Sequence, residues 1–224
     1  MSRRVEILRR AAEVFSRQGV SQTSIEDIAK AVGIKREGVY YYFRSRDDIL
    51  LEIVLPQSRT LLFNFTNIIE SKRPVMERLH AAMRNHLEGY NPGYIEMAVA
   101  LREDHNLSGR NSAKTDKKGG DRKKQQELRQ VWKDYTRLWI RLVEEGQKSG
   151  ELDAGLNTKM VAFGILGMCN WLSRWYDPQK PVPIDEIVTT VFAMVSRGIA
   201  APGAGHEQDM LAKLACAGPA RPRP

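Results

Sequence analysis

The 224-residue sequence is poor in cysteine and contains no long apolar run. Its two cysteines, Cys169 and Cys216, have no CxxC partner and cannot form a disulfide framework, so a reducing, cytoplasmic location is expected. No apolar stretch reaches the ~18–20 residues that a membrane span needs. Arg3-Arg4 lead into a charged, periodic segment, and we therefore expect no secretory signal. These absences argue against disulfide-rich secreted proteins and integral membrane proteins.

Catalytic motifs are absent as well. The sequence has no GxSxG nucleophile motif, no GxGxxG turn and no other phosphate-binding loop. Its histidines lack the spacing of metal ligands, and the cysteines do not join them: His80, His86, His105 and His206. Each histidine is expected to be exposed or to have a structural role. We therefore expect no enzyme, no metal and no cofactor.

Positive charge is in excess. The chain has 35 Lys and Arg against 27 Asp and Glu, which gives a net charge of +8 and a pI near 9.6. This balance suits a polyanionic partner, either nucleic acid or an anionic membrane surface, and it equally suits solubility alone. The positions of the charges have to decide between these alternatives.

Apolar residues recur with helical spacing almost everywhere, and no convincing strand pattern is present. We predict an all-α fold of about nine helices. The first is expected at about 3–18, the second between a cap at Thr23 or Ser24 and Gly33, and the third at about 35–42. The fourth should span about 45–71 with a bend at Pro56. Further helices are expected at about 75–89, 93–104, 122–148, 157–176 and 184–200.

The chain is expected to divide into two domains and a tail. Residues 1–54 would form a three-helix domain, residues 55–201 a larger helical bundle, and residues 202–224 a disordered tail rich in Gly, Ala and Pro. Residues 105–121 are polar and carry no apolar period, so disorder is predicted there too.

The first three predicted helices carry the functional signal. The second and third are short and joined by a turn at Gly33, so they cannot bury their apolar faces without the first helix and its Phe15. This arrangement is typical of a helix-turn-helix, in which the second helix of the pair enters the major groove. The alternative is a three-helix subdomain that binds nothing.

The third predicted helix has an apolar side with Ile34, Val39 and Phe43. Its remaining side chains face outward: Lys35, Arg36, Glu37, Tyr40 and Tyr41. Tyrosine rings pack on sugars and their hydroxyls donate to phosphates, so a run of three tyrosines favours a bound surface. Gly38 within a helix costs roughly 1 kcal/mol relative to alanine, which a close approach to DNA would explain.

Charged neighbours of this helix leave several alternatives open. Arg44 and Arg46 lie near the start of the fourth helix, whose free N–H groups can hold a phosphate. Glu37 either pairs with a neighbouring arginine or contacts a cytosine. Arg3 and Arg4 are either a solvated terminus or an arm that contacts DNA.

These residues form a pattern that extends over residues 3–54 without a gap. It consists of Ile7-Leu8, Ala11, Phe15, Gly19, Thr23, Ile28-Ala29, Gly33-Ile34, Tyr40-Tyr41-Tyr42-Phe43, Ser45-Arg46-Asp47 and Ile49-Leu50. The pattern resembles the DNA-binding domain of the TetR/AcrR regulators. That resemblance implies an all-α homodimer with an N-terminal DNA-binding domain and a larger domain for ligand binding and dimerisation.

The resemblance also assigns roles to residues of the pattern. It implies that Thr23, Tyr41 and Arg46 contact phosphates and that Lys35 to Glu37 lie near base edges. The full candidate set is Thr23, Ser24, Lys35, Arg36, Glu37, Gly38, Tyr40, Tyr41 and Arg46. Three positions depart from the family pattern, because Lys35 replaces the usual capping serine, Tyr42 a frequent histidine and Arg46 a lysine.

The second domain is rich in large aromatic and methionine side chains. These residues either line a ligand pocket or simply fill the core: Phe63, Phe65, Met83, Met97, Trp132, Tyr135, Trp139 and Met168. Gly164 and Gly167 would allow close helix packing, and in this family the last two helices pair with their copies across a two-fold axis.

A weaker resemblance concerns the effector. Residues 167–178, followed by 184–187, are similar to the C-terminal domain of TetR-type repressors of fatty-acid and steroid catabolism that respond to CoA thioesters. An acyl-CoA ligand is therefore implied. The basic segment 117–124 would then either meet the CoA phosphates or form a solvated loop.

Together these features predict a sequence-specific DNA-binding transcriptional regulator. We expect a repressor that a small hydrophobic or acyl-CoA-type ligand releases from its operator. Its partners would be double-stranded operator DNA, the effector and a second copy of the chain, with no membrane. The alternatives are a helical small-molecule-binding protein without a role on DNA and a membrane-surface protein that uses basic amphipathic helices.

Overall fold

The computed structural model describes residues 2–88, 119–176 and 182–200, and within these ranges the chain is helical. It contains α1 (Arg3–Gln18), α2 (Ile25–Val32), α3 (Arg36–Tyr42), α4 (Arg46–Glu70), α5 (Val75–Leu87), α6 (Gly119–Ser149), α7 (Thr158–Trp175) and α8 (Ile184–Ile199). The predicted all-α fold is confirmed. The helix expected at 93–104, residues 105–118 and the tail at 202–224 lie outside the described ranges.

One boundary differs clearly from the sequence expectation. Residues 119–121, predicted to be disordered, form the first turn of α6. Adding residues to an existing helix is far easier than starting one, because each further residue gains a hydrogen bond. The strongly periodic segment that follows therefore extends the helix into a polar stretch that has no helical pattern of its own.

Capping residues define the short helices near the N-terminus. The hydroxyl of Ser24 accepts a hydrogen bond from the N–H of Asp27, and the Asp27 carboxylate accepts one from the N–H of Ser24. Gly33 ends α2 at φ 75°, a left-handed conformation that glycine adopts without strain. Ser45 caps α4 by accepting from the N–H of Asp48. Ser24 is thus the cap of α2 that the sequence left open.

Helix α4 connects the two parts of the molecule. It runs continuously through Pro56, packs on α1 at its start, and packs on α5 and α6 further along. The buried residues of the first three helices and those of the bundle form one continuous core. None of the described helices is long and apolar enough to cross a membrane.

A nearly buried arginine ties three helices of the bundle together. The guanidinium of Arg78 on α5 donates to the carbonyl of Ile69 on α4, at 2.8 Å, and to the carboxylate of Glu145 on α6, at 2.6 Å. Burial raises the pKa of Glu145, but hydrogen bonds from Arg78 and Arg141 outweigh it and hold that pKa below its usual range. The arrangement fixes α5 against α4 and α6.

Candidate nucleic-acid interface

Helix α3 presents one face to the core and the other to solvent. On the inner face Val39 is 0% exposed and Phe43, which caps the helix, is 1% exposed. On the outer face Tyr40 is 44% and Tyr41 83% exposed, and the Tyr42 ring lies edge-on to that of Tyr41 at 4.9 Å. The outward orientation expected for these phenols is present in the structure.

Arg36 is held in place on the outer face of α3. Its guanidinium donates to the Tyr40 hydroxyl at 3.1 Å and lies 2.6 Å from the carboxylate of Glu26 on α2. The hydrogen bond to Tyr40 and the charge of Glu26 raise the pKa of Arg36 above its ordinary value. The acidic partner of this arginine is therefore Glu26 and not Glu37, which is exposed.

Lys35 and Gly38 occupy the same surface. Lys35 is exposed and is the N-cap of α3, but its side chain makes no capping hydrogen bond. The three atoms nearest to a Cβ added to Gly38 all belong to the side chain of Ile34, at 3.4–3.7 Å. That distance is ordinary van der Waals contact, so the fold itself does not require glycine at position 38.

Two of the expected phosphate-binding residues are occupied within the protein. Thr23 is 2% exposed, and its hydroxyl donates to the carbonyl of Gly19 at 2.7 Å. Arg46 donates to the carbonyls of Val20 and Thr23 at 3.1 and 3.2 Å and to the Asp47 carboxylate at 3.1 Å. Thr23 therefore fixes the turn between α1 and α2, and Arg46 holds that turn against α4. The sequence could not indicate the contacts of Arg46, because the carbonyl groups that it binds come from distant positions.

The arginines of the N-terminus also have internal partners. Arg3 pairs with Glu6 at 2.8 Å. Arg4 pairs with Glu52 on α4, and its guanidinium lies 4.9 Å from the centre of the Phe43 ring. The second arginine therefore contacts both α4 and the end of α3.

The candidate pocket residues of the bundle divide into three groups. Phe65, Met83, Tyr135 and Trp139 are fully buried, while Trp132 and Met168 are half-buried against the core. Phe63 is 65% exposed, so its assignment to a pocket is wrong. Residues two positions apart on a helix point in nearly opposite directions, which places Phe63 on the solvent side of α4 when Phe65 is buried. Met97 lies outside the described ranges.

A buried polar cluster lies among these aromatics. The ring nitrogens of His86 on α5 lie 3.0 Å from the Tyr135 hydroxyl and 2.8 Å from the side-chain carbonyl of Asn170 on α7. Burial lowers the pKa of His86 to about 4, although the hydrogen bond with Asn170 acts in the opposite direction. The imidazole is therefore neutral near pH 7, so its Nε2–H donates to Asn170. No sequence pattern indicates this cluster, because its members come from three helices.

Two buried indole N–H groups lie close to this cluster. Among the residues described, the Nε1 atoms of Trp132 and Trp139 have no hydrogen-bond partner. These residues are seven positions apart and share one face of α6. Their rings contact Tyr135 at 5.5 and 6.3 Å between centres. A buried donor without an acceptor is unfavourable by about 1–3 kcal/mol, so two on one face mark a region able to take a polar acceptor.

Helix α7 carries an exposed apolar stripe. Met160, Phe163, Trp171 and Trp175 recur at helical spacing and are 66%, 49%, 62% and 50% exposed. Gly164 and Gly167 lie along the same stretch, and a Cβ at either would meet no atom within 4 Å. Met194 adds a 61% exposed side chain on α8. Large apolar residues concentrated on one face indicate a surface that a partner covers.

Comparison with known proteins agrees with this architecture over most of the chain. Residues 7–53 match the family model described as bacterial regulatory proteins, tetR family. Residues 72–199 match the model described as tetracyclin repressor-like, C-terminal domain. The two matches cover the helix-turn-helix and the larger bundle.

Individual relatives cover nearly the whole chain. The HTH-type transcriptional repressor KstR2 of Rhodococcus jostii (strain RHA1) is 25% identical over 201 residues, which are 89% of this chain and 92% of the relative. The solved structure of the ketosteroid transcriptional regulator KstR2 of Mycobacterium tuberculosis has a TM-score of 0.75, 22% identity and coverage of 89% and 95% of the two chains. AibR, solved in complex with isovaleryl coenzyme A and operator DNA, has a TM-score of 0.69, 20% identity and coverage of 86% and 97%.

Proposed function

Because the chain belongs to the TetR family of bacterial transcriptional regulators, we propose that it is a homodimeric repressor whose operator affinity is lowered by a small apolar or acyl-CoA-type ligand. Residues 1–54 would read DNA, and residues 55–201 would bind the ligand and dimerise. A regulator with this role works in the cytoplasm and needs no enzymatic activity. The observation that carries the proposal is the exposed polar face of α3.

On the outer face of α3, one set of residues would contact the DNA bases and another the DNA phosphates. Lys35, Arg36 and Glu37 lie in the first turn, which in a helix-turn-helix approaches base edges in the major groove. Tyr40 and Tyr41 follow one turn later, where their hydroxyls would meet phosphates. Thr23 and Arg46 would support this surface indirectly, since their side chains hold the adjacent turn.

Binding to the DNA upstream of the protein's own gene tests this division. In fluorescence anisotropy, Arg36→Ala should lose about 1–3 kcal/mol at particular base pairs, whereas Tyr41→Phe should weaken all duplexes alike. Arg129→Ala is the matched control, because it removes an exposed positive charge from α6. Equal losses in all three variants, or none, would contradict the assignment of α3.

The dimer would form through the apolar stripe on α7 together with α8. A second copy is the occupant that suits it, because a two-fold dimer places two copies of α3 on successive major grooves of one DNA face. Sedimentation of Trp171→Arg should show monomers. Phe63→Arg introduces the same charge at an equally exposed site on α4 and should leave the dimer intact. Dimers in both variants would exclude this interface.

The effector would bind in the bundle near the indole groups of Trp132 and Trp139. A ligand carbonyl would give these N–H groups the acceptor that they lack, and the surrounding aromatics would bury an apolar chain. The isovaleryl coenzyme A complex of AibR supports a thioester as the first class to test.

Native mass spectrometry with acyl-CoA thioesters of increasing chain length tests the effector. An adduct is expected for the wild type, and it should weaken in Trp132→Phe but not in Phe63→Leu, which changes an exposed aromatic side chain on α4 outside the apolar stripe of α7. No adduct at any chain length would remove the acyl-CoA hypothesis while leaving the DNA-binding role in place.

A further inference from the structure

Lys124, near the start of α6, bridges the bundle to the first turns of α4. Its ammonium group lies 2.8 Å from a carboxylate oxygen of Asp48 and 2.9 Å from one of Glu52. The three side chains are 33%, 9% and 19% exposed. Charge pairs that are partly shielded from water interact more strongly than fully exposed pairs. The bridge can therefore transmit a movement of α6 to α4.

Asp48 also contacts the backbone at the end of α3. Its second carboxylate oxygen accepts a hydrogen bond from the backbone N–H of Arg44 at 3.2 Å. Arg44 directly follows Phe43, the C-cap of α3. The Asp48 carboxylate thus joins the ammonium group on α6 to the backbone just beyond the recognition helix.

Glu52 is connected to the end of α3 as well, through Arg4. Its other carboxylate oxygen pairs with Arg4 on α1, and the Arg4 guanidinium stacks over the Phe43 ring at 4.9 Å. Both carboxylates that hold Lys124 are therefore connected to the segment Phe43–Arg44. Two independent routes from one ammonium group converge on one end of α3.

The contacts of Asp48 and Lys124 favour the charged forms of both groups. Burial raises the pKa of Asp48, but the hydrogen bonds from Lys124 and the Arg44 N–H hold it below its usual range. Burial lowers the pKa of Lys124, but its hydrogen bonds to both carboxylates raise it above its ordinary value. Without the ammonium group, two carboxylates one helical turn apart would repel each other beside α3.

We propose that Lys124 is a positioning residue for the DNA-reading helix, and that its bridge to Asp48 and Glu52 couples ligand binding in the bundle to the position of the end of α3. This role rests on the proposed reading of DNA by α3. Lys124 is eight residues from Trp132, or about 12 Å along the axis of α6, so a ligand that shifts α6 at Trp132 also shifts Lys124. Breaking the bridge frees Phe43–Arg44 and lowers operator affinity.

Hydrogen exchange of the free protein tests the connection without DNA. In Lys124→Met the Arg44 amide should exchange about three- to tenfold faster, while α7 and α8 keep wild-type rates. Lys124→Arg, which keeps the charge, should restore most of the protection. Unchanged exchange at Arg44, or equally faster exchange throughout the molecule, would overturn the proposal.

Two matched controls distinguish the specific effect of the Lys124 bridge from general effects of charge and packing. Lys123→Met removes the neighbouring exposed charge. Glu127→Gln breaks a different pair between α4 and α6, with Arg59, whose Nε lies 2.8 Å from the carboxylate. Neither should change exchange at Arg44. A similar increase in either control would overturn the specific role of Lys124.

Anisotropy with the upstream duplex then measures the consequence for DNA. Lys124→Met should bind about three- to tenfold more weakly than the wild type, and both controls should bind normally. Wild-type affinity in Lys124→Met would overturn the positioning role. If the wild type itself did not bind DNA, the proposed function would be wrong. The exchange data would still show whether Lys124 stabilises the segment Phe43–Arg44.

Discussion

On α3, residues two positions apart differ completely in exposure, since Val39 is 0% and Tyr41 83% exposed. Helical periodicity predicts this contrast, so the outward-facing set could be predicted from the sequence. The partners of individual side chains could not. Glu26 reaches Arg36 from α2, and the carbonyl groups that Arg46 binds lie more than twenty positions away. Such contacts depend on how helices cross, which no local pattern encodes.

Gly38→Ala separates folding from DNA binding at the surface of α3. The nearest atoms to the added methyl belong to Ile34 and lie at ordinary distance, so the free energy of unfolding should rise by about 1 kcal/mol. If the helix backbone approaches DNA here, operator affinity should fall about tenfold. Urea unfolding and anisotropy measure the two effects. Higher stability with unchanged affinity would show that position 38 does not meet DNA.

His86 should make the stability of the protein depend on pH. The buried imidazole has a pKa of about 4, whereas in the unfolded chain it has its ordinary value near 6.5. Between these values the unfolded chain binds more protons, so this contribution is complete above about pH 6.5 and is lost as the pH falls toward 4. The free energy of unfolding should fall by about 2 kcal/mol from about pH 7.5 to about pH 5 through this group.

Urea titrations of His86→Gln across this pH range check that expectation. Glutamine keeps two hydrogen-bonding groups but does not titrate, so most of the pH dependence should disappear. His80→Gln is the comparison variant. Burial also lowers the pKa of His80, which lies edge-on to Phe192 outside the polar cluster, so this variant should remove a smaller part of the pH dependence than His86→Gln. If His86→Gln kept the full wild-type slope, His86 would not be the source.

Among the helices, those with a polar cap or a terminal glycine have boundaries that the sequence could predict. Ser24, Gly33 and Ser45 mark such ends. The start of α6 has no comparable signal, and the helix begins earlier in the chain than its apolar pattern predicts. The exposure of Phe63 could not be predicted either, because α4 packs against α1, α5 and α6 and its apolar residues do not define one face.

The close contact between α6 and the following turn should not tolerate a larger residue. A Cβ at Gly146 would lie 2.5 Å from Leu152 and 2.8 Å from Val75. Gly146→Ala should therefore destabilise the fold by about 1–3 kcal/mol despite the better helix propensity of alanine. Gly198→Ala in α8 is the control, because its Cβ would meet nothing within 4 Å. Thermal unfolding that ranks the two variants in the opposite order would contradict this packing.

In the whole molecule, the proposed function depends on the outer face of α3, the apolar stripe of α7 and the interior of the bundle together. Periodicity in the sequence predicts the first. For the second, the sequence indicates only close helix packing at Gly164 and Gly167, and the family resemblance implies that the last two helices pair; the exposed side chains of the stripe are seen only in the structure. The sequence could not predict the bridge from Lys124 to Asp48 and Glu52, which joins residues more than seventy positions apart. Coupling between domains depends on such long-range contacts.

Selection of duplexes from a random library tests the central claim most directly, because the operator sequence does not have to be known beforehand. The wild type should enrich an inverted repeat whose half-sites lie about 34–36 Å apart, or a multiple of that distance. A variant with Lys35, Arg36 and Tyr41 all changed to alanine should enrich nothing, although it remains folded and dimeric. Failure of the wild type to enrich any sequence, or enrichment of the same repeat by the triple variant, would contradict the reading of DNA by α3.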